Sequence, residues 1–297
     1  MDFEQLAECL EPPGGVQTTL ALRDTLPADA PADWRNLAAL LALDLDHRGP
    51  HGSPVVLGIS GGQGAGKTTL SDLLVRALAA CGRRGVAMSL DDFYLTRAER
   101  QRLARTVHPL LATRGVPGTH DVALALEILD GIREGRPVPV PSFDKATDDR
   151  LPAERSRPIE PGVDVVIFEG WCVGAPPQPD AALTDPVNEL ERREDADGRW
   201  RRFVNGALAA DYPPLWRRLD VLLYLAVPDM AAVRRWRAGQ EQQHPPARRM
   251  SPAAIDRFVD HYERLTRWML TVLPDTADMV GLLDENHALA GFRRRSG

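Results

Sequence analysis

The sequence contains little cysteine and no long apolar run, and both absences exclude classes of protein. Its three cysteines, Cys9, Cys81 and Cys172, are scattered and odd in number, so we expect neither a disulfide framework nor a zinc site, as in a reducing compartment. No apolar stretch is long enough to span a membrane. The acidic N-terminus lacks a basic segment followed by an apolar one, which predicts no signal peptide. We therefore expect a cytoplasmic protein without a membrane partner.

Lysine is scarcer still, and the chain has no excess of positive charge. The formal net charge is −6, which argues against broad nucleic-acid binding. Only two of the 36 basic residues are lysine, Lys67 and Lys145. Because lysine provides a compact, flexible charge that arginine does not replace, both positions are candidates for chemistry. The alternative for Lys145 is that one lysine in a biased composition has no special role.

Residues 55–70, VVLGISGGQGAGKTTL, carry the clearest functional pattern. An apolar β-type run leads into G-x-x-x-x-G-K-T and a helical pattern follows, which is the context of a P-loop. Glycines let successive backbone N–H groups converge on phosphate oxygens at the positive end of the helix. Lys67 would contact the β- and γ-phosphates, and the Thr68 hydroxyl would bind Mg²⁺. The predicted ATP-binding residues of this loop are Gly61, Gly62, Gln63, Gly64, Ala65, Gly66, Lys67, Thr68 and Thr69.

Five apolar runs alternate with helical patterns, which predicts an α/β fold with a parallel sheet covered on both faces. We expect residues 1–50 to form a helical extension, with Asp33 capping a helix, and residues 51–297 to form the main domain. Asp121 or Thr119 would cap a helix over residues 122–133, and residues 292–297 are expected to fray. A last long helix is expected to start at Ser251-Pro252, and its apolar residues at helical spacing are expected in the core: Ile255, Phe258, Val259, Tyr262, Leu265, Met269 and Val272. The five runs lie at residues 55–60, 86–90, 163–168, 221–227 and 279–283.

Two of these apolar runs end in carboxylates. Asp91 and Asp92 follow the second run, and Glu169 follows the third. The carboxyl ends of parallel strands form the ligand side of an open α/β sheet, where a carboxylate can act as base for an acceptor hydroxyl. The alternative is that Asp91 or Asp92 caps the next helix. Glu169 resembles a Walker B carboxylate, which would act on Mg²⁺ directly or through water.

Further motifs follow the P-loop in order: DDFY at residues 91–94, HPLLATRGVPGTHD at 108–121, PVPSFDK at 139–145 and VVIFEGWCVG at 165–174. Over residues 55–285 the chain resembles the plant-type D-glycerate 3-kinases and their bacterial and fungal relatives, in the phosphoribulokinase, uridine kinase and pantothenate kinase group. The resemblance implies a P-loop kinase fold with a central five-stranded sheet, ATP and Mg²⁺ as cofactors, and Asp91 as the base. It also implies an acceptor-site insertion at residues 92–160.

The resemblance further implies a lid at residues 228–250, formed by a helix whose arginines reach the ATP phosphates. Arg234, Arg235 and Arg237 hold the matching positions, but residues at this spacing lie on different sides of a helix. We expect Arg234 and Arg237 to bind ATP, while a solvated basic helix is the alternative reading for at least one of the three.

The expected partner is a small molecule with a hydroxyl acceptor, which the resemblance identifies as D-glycerate, phosphorylated to 3-phosphoglycerate. Lys67, Asp91 and Lys145 are the expected catalytic residues, and His120 could equally serve as a loop hydrogen-bonding group. The aromatic residues of the DDFY and PVPSFDK motifs leave a nucleoside acceptor possible. Uridine or pantothenate is the alternative acceptor. The expected substrate-binding residues are Asp91, Tyr94, Arg114, His120, Asp144 and Lys145.

A P-loop NTPase that is not a kinase is the second functional class. A regulatory GTPase should carry an N/T-K-x-D motif, whereas the only lysine after the P-loop lies in FDKAT. A motor or nucleic-acid-linked ATPase usually has paired Walker B acids, whereas Glu169 stands alone before Gly170. Both alternatives are therefore disfavoured, and the sequence gives no prediction of oligomeric state.

Overall fold

The strands of this protein are short, and those of the central sheet are mostly apolar. The computed structural model describes residues 1–11, 14–48, 53–242 and 249–295. Within these residues the strands are β1 (Val55–Gly61), β2 (Gly85–Ser89), β3 (Val138–Val140), β4 (Phe143–Asp144), β5 (Asp149–Arg150), β6 (Arg157–Ile159), β7 (Val165–Gly170), β8 (Val221–Ala226), β9 (Met279–Leu283) and β10 (Leu289–Arg294).

A central sheet of six strands organises the described chain, in the order β10-β9-β8-β1-β7-β2. The five strands expected from the sequence are mutually parallel, so the α/β prediction is confirmed. The sheet is nevertheless mixed, because β10 runs antiparallel to β9. The expectation that residues 292–297 fray is wrong for residues 292–294, since Phe292 is buried and Arg293 and Arg294 pair with β9 through their backbones. The arginine side chains point outward, which gave this strand a tail-like composition.

Helices cover both faces of the sheet. One hydrophobic cluster contains Leu57 and Ile59 of β1, and the other contains Val56, because alternate residues of a strand face opposite sides. In the described residues the helices are α1 (Phe3–Leu10), α2 (Gly15–Arg23), α3 (Ala32–Arg48), α4 (Lys67–Ala80), α5 (Arg97–Thr106), α6 (Val122–Arg133), α7 (Glu189–Glu194), α8 (Arg199–Ala210), α9 (Pro213–Trp216), α10 (Met230–Gln242) and α11 (Pro252–Thr276). None of the described helices is long and apolar enough to cross a membrane.

The described residues up to 48 form the three helices α1, α2 and α3, which share a hydrophobic cluster with β1 and α4. α3 packs against α4, and its residues 37–42 are all buried. Asp33 lies inside α3 and does not cap it. One of its carboxylate oxygens accepts a hydrogen bond from the Leu289 backbone N–H at 2.7 Å, which ties α3 to β10. The expected boundary between the extension and the main domain, at residues 50 and 51, lies outside the described residues.

The register of the sheet brings the P-loop, the Asp91 motif and the Glu169 motif to one edge. Ile59 is paired with Glu169, and Ser89 is also paired with Glu169, so β1, β7 and β2 end side by side. The segment between β2 and β7 adds α5, α6 and two small antiparallel sheets next to that edge. Each small sheet has two strands, β3 with β6 and β4 with β5. α6 begins at Val122, and its N-cap is Asp121, which is one of the two residues predicted to cap it. Of the expected lid, residues 243–248 lie outside the described residues.

Candidate active site

The loop between β1 and α4 has the backbone geometry of a phosphate cradle. Gly64 and Gly66 adopt φ angles of +81° and +80°, which favour glycine. A Cβ at Gly64 would lie 2.9 Å from a Trp236 atom, and one at Gly66 would lie 2.9 Å from the Trp34 ring. The two glycines are therefore required by both conformation and space, and the loop backbone remains open on its other side.

The polar side chains of this loop have few competing partners. Among the residues that the structure describes, Lys67 Nζ donates hydrogen bonds only to backbone carbonyls, those of Gly61 at 2.9 Å and Gly62 at 3.2 Å. Burial lowers the pKa of Lys67, although the carboxylates of Glu169 and Asp91 act in the opposite direction. The Thr68 hydroxyl donates to Glu169 Oε1 at 3.1 Å. A hydroxyl and a carboxylate side by side are the oxygen ligands that Mg²⁺ prefers, so the two residues fit a magnesium site.

Asp91 is held by two donors at the end of β2. Lys145 Nζ lies 2.7 Å from Asp91 Oδ2, and the Tyr94 hydroxyl donates to Oδ1 at 2.7 Å. Burial acts to raise the pKa of Asp91, but the Lys145 charge and the hydrogen bonds from Lys145 and Tyr94 outweigh it, so the pKa lies below its ordinary value. Asp91 is therefore a carboxylate at neutral pH.

Asp92 has a different environment from its neighbour. Its Oδ2 accepts a hydrogen bond from the Ser89 backbone N–H at 3.2 Å, which completes a capping box around the 3₁₀ turn Leu90–Phe93. Burial raises the pKa of Asp92, and the Ser89 bond opposes this. The capping alternative thus applies to Asp92, and Asp91 faces the cavity described next.

One cavity of about 470 Å³ collects most of the predicted site residues. Its lining joins the P-loop end, with Lys67, Thr68 and Glu169, to the β2 end, with Asp91. The other predicted residues in the lining are Gln63, Gly64, Tyr94, Arg114, Lys145 and Arg237. The phosphate motif and the candidate base therefore share one chamber.

Several lining residues were missed at the sequence level, namely Ser89, Trp171, Gln240, Phe258 and Tyr262. Phe258 and Tyr262 follow the helical spacing of α11 and were expected in the core. Tyr262 is indeed largely buried, but its hydroxyl donates to the Arg114 carbonyl at 3.0 Å and so braces the loop that follows α5. Trp171 could have been found from its position directly after Glu169-Gly170 at the end of β7.

Eight predicted residues do not line this cavity. Five of them belong to the P-loop stretch, namely Gly61, Gly62, Ala65, Gly66 and Thr69, and the other three are Arg234, His120 and Asp144. Arg234 pairs with Asp260 and Glu263 of α11 at 2.9 Å each, so α11 draws it away from the P-loop. His120 lies behind Tyr94, with its ring stacked on Tyr94 at 4.9 Å, and its Nδ1 is 2.6 Å from the Tyr212 hydroxyl. Burial lowers the pKa of His120 to about 4.

Asp144 is the third, and its carboxylate organises a turn. Its Oδ1 accepts from the Ala146 backbone N–H at 2.8 Å, and its Oδ2 accepts from the Thr147 hydroxyl at 2.9 Å. Backbone and side-chain hydrogen bonds of this turn lower the pKa of Asp144. Its neighbour Lys145 is thereby presented to Asp91, so Asp144 acts on the cavity through the turn.

Comparison with known proteins adds to this geometry. No protein-family model matches the chain. The chain is 36% identical over 226 residues to the uncharacterized kinase mug58 of Schizosaccharomyces pombe, covering 72% of this chain and 80% of that protein. It is 31% identical over 222 residues to the chloroplastic D-glycerate 3-kinase of Arabidopsis thaliana, covering 70% of this chain but only 46% of the plant enzyme.

A solved structure extends the likeness to the whole fold. The structure of D-glycerate 3-kinase from Cryptococcus neoformans var. grubii superposes with a TM-score of 0.71 over 99% of each chain, at 23% identity. At that identity the likeness concerns the fold alone. Uridine kinase-like proteins of Arabidopsis thaliana and a pantothenate kinase of Bacillus velezensis match shorter stretches of the chain. The chain belongs to the family of P-loop kinases that includes D-glycerate 3-kinase.

Proposed function

We propose that this protein is an ATP-dependent kinase that transfers the γ-phosphate to a hydroxyl of a small anionic acceptor, with D-glycerate as the best-supported acceptor and 3-phosphoglycerate as the product. The observation that carries the proposal is the single cavity that holds Lys67, Thr68 and Glu169 at one end and Asp91, Lys145 and Arg114 at the other. Phosphoryl transfer depends chiefly on positioning and charge stabilisation, and this arrangement provides both.

The nucleotide end of the cavity would bind MgATP. The open backbone of residues 61–67 would cradle the phosphates, and Lys67 would leave its carbonyl partners to contact phosphate oxygens. Thr68 and Glu169 would hold Mg²⁺, which neutralises charge on the phosphates as it does in P-loop kinases. Arg237 lines the same end and would add a cation from the lid helix.

Asp91 would orient the acceptor hydroxyl and receive its proton. A general base works best when its pKa lies near the working pH, so a lowered pKa makes Asp91 a weak base. In a loose phosphoryl-transfer transition state the hydroxyl loses its proton late, so orientation matters more than basicity. Lys145 would leave Asp91 in part to stabilise the transferring phosphoryl group, which explains a lysine at this position in an arginine-rich chain.

The acceptor end favours a small carboxylate over a nucleoside. Arg114 and Lys145 provide fixed positive charge for a carboxylate. The three aromatic residues of the DDFY and PVPSFDK motifs have partners within the protein: Phe93 is buried in the core, Tyr94 stacks on His120, and the Arg114 guanidinium lies 5.3 Å from the centre of the Phe143 ring. The 31% identical plant relative, named a D-glycerate 3-kinase, supports the same acceptor.

The test is an ADP-release assay with MgATP and separate additions of D-glycerate, uridine and pantothenate. We expect turnover with D-glycerate and very little ADP release without an acceptor. Lys67→Ala should abolish turnover while leaving the fold intact, because its charge acts on phosphates and not on the core. Arg136→Gln, which alters an exposed ion pair with Glu134, is the matched control and should retain activity.

Two results would overturn parts of the proposal. Turnover of uridine or pantothenate, with no response to D-glycerate, would support the kinase assignment but contradict D-glycerate as the acceptor. Rapid ATP hydrolysis that no acceptor stimulates would place the protein among P-loop ATPases.

A further inference from the structure

A buried arginine outside the cavity connects three chain segments next to the acceptor end of the cavity. Arg100 of α5 is fully buried, although arginine is among the residues least often buried unless paired. Its guanidinium donates to three separate segments: the carbonyl of Leu95 at 3.2 Å, the carbonyl of Ala112 at 2.9 Å, and Asp148. A planar fork of donors is suited to such a junction, and a lysine ammonium is not.

Asp148 is the centre of this junction. Its backbone carbonyl accepts from Arg100 Nη2 at 2.5 Å, and its Oδ2 accepts from Arg100 Nη1 at 3.1 Å. Its Oδ1 accepts from Nη1 of Arg114, and within the described residues Asp148 is the only hydrogen-bond acceptor of that guanidinium. Asp148 has a φ of +56°, a left-handed conformation that aspartate and asparagine tolerate better than most residues. One carboxylate therefore joins the buried arginine to the cavity arginine.

The same junction fixes both cations of the acceptor end. Residues 145–148 form the turn between β4 and β5, so Lys145 on Asp91 and Asp148 on Arg114 belong to one four-residue segment. Both guanidinium groups also lie near the Phe143 ring, with that of Arg100 at 5.6 Å and that of Arg114 at 5.3 Å from the ring centre. Arg100 also holds Ala112, two residues before Arg114. The segments that carry Lys145 and Arg114 are thus both hydrogen-bonded to the buried Arg100 guanidinium.

From these contacts we infer that Arg100 and Asp148 are positioning residues that hold Arg114 and Lys145 at the acceptor end and so select acceptors that carry a carboxylate. The role in selection rests on the proposed function, whereas the anchoring of the turn does not. Pre-orienting a cation increases affinity because the cost of ordering it is met during folding. Neither residue needs to touch the acceptor.

The experiment compares Arg100→Lys and Asp148→Asn with Arg201→Lys. Arg201 is the matched control, because it is also buried and pairs with a buried aspartate, Asp195 at 2.9 Å, but it does not line the active-site cavity. Asp148→Asn preserves tolerance of the left-handed backbone. We expect both test variants to raise the KM for D-glycerate about tenfold or more, with the Kd for ATP changed less than about twofold, as loss of one oriented ionic contact predicts. Arg201→Lys should leave the KM for D-glycerate unchanged even if it lowers the unfolding temperature.

Amide hydrogen exchange supplies a readout that needs no acceptor. In Arg100→Lys we expect faster exchange in residues 143–150 than in wild type, with residues 61–70 unchanged, whereas Arg201→Lys should show neither effect. If wild type fails to phosphorylate D-glycerate, the proposed acceptor is wrong, and the exchange result still decides the anchoring role. Unchanged exchange in residues 143–150, or a KM in Arg100→Lys equal to that in Arg201→Lys, would overturn the inference.

Discussion

Asp91 and Asp92 are adjacent carboxylates with separate tasks. Asp91 faces the cavity and is paired with Lys145, whereas Asp92 caps the turn that follows β2. Asp91→Asn should therefore keep ATP binding and lower kcat by about 10²–10⁴, the usual effect of removing a base. Asp92→Asn should have a milder effect on kcat. Steady-state kinetics and ATP calorimetry measure both, and a greater sensitivity of Asp92 would mean that our assignment of the base is off by one residue.

His120 predicts a pH dependence of stability. Burial lowers its pKa to about 4 in the folded protein, while an exposed histidine in the unfolded chain has a pKa of about 6.5. Between these values the unfolded state binds more protons, so stability is lost as the pH falls from about 6.5 to about 4. In His120→Asn the free energy of unfolding, measured by urea denaturation, should depend less steeply on pH in this window. An unchanged slope would show that His120 is not neutral in the folded state.

The scarcity of lysine indicated residues that line the cavity, whereas the polar character of His120 and Asp144 in motif loops did not. The two lysines stood out in an arginine-rich sequence, and both lie in the cavity. His120 and Asp144 looked like acceptor ligands because they are polar and lie in motif loops. The direction of a loop side chain depends on tertiary partners, here Tyr212 for His120 and the turn N–H groups for Asp144, and no local pattern reports those partners.

At the level of elements, α10 separates two arginines by their helical positions. Arg237 lines the cavity, pairs with Glu241 of its own helix at 2.8 Å and lies 4.9 Å from the centre of the Phe258 ring, whereas Arg234 pairs with carboxylates of α11. We expect Arg237→Met to raise the Kd for ATP severalfold, because a phosphate-facing cation is lost. Arg234→Met should chiefly lower the unfolding temperature. A larger loss of ATP affinity in Arg234→Met would show that the lid turns Arg234 inward when nucleotide binds.

The strands were predicted to within about two residues, because buried parallel strands read as uninterrupted apolar runs. β10 was missed because it ends in two consecutive arginines, Arg293 and Arg294, and an edge strand with a basic end resembles a tail. The spacing of α11 correctly indicated a buried face. Spacing alone does not distinguish a face turned to the core from one turned to a cavity, so Phe258 and Tyr262 were assigned to the core.

For the whole molecule, the N-terminal helix α3 packs directly against the P-loop. The Trp34 ring of α3 occupies the space where Gly66 would carry a side chain. Trp34→Phe should loosen this contact and raise the Kd for ATP. Trp200→Phe alters another buried tryptophan, in a separate hydrophobic cluster, and should lower stability without this change in ATP affinity. Equal effects of both variants on the Kd, measured by calorimetry, would contradict a specific role for α3.

The scarcity of lysine also makes the molecule a selective target for amine-directed acylation. A succinimidyl ester can react with two lysines and the terminal amine, and the side chain of Lys145 is 62% exposed while Lys67 Nζ is held by two carbonyls. Brief treatment should therefore attach a fluorophore at Lys145, as peptide mass spectrometry would reveal, and the modified protein should lose activity. Earlier labelling of Lys67 would contradict this expectation. A bound acceptor should slow the acylation of Lys145, so the rate of labelling would report occupancy of the acceptor end without any engineered cysteine.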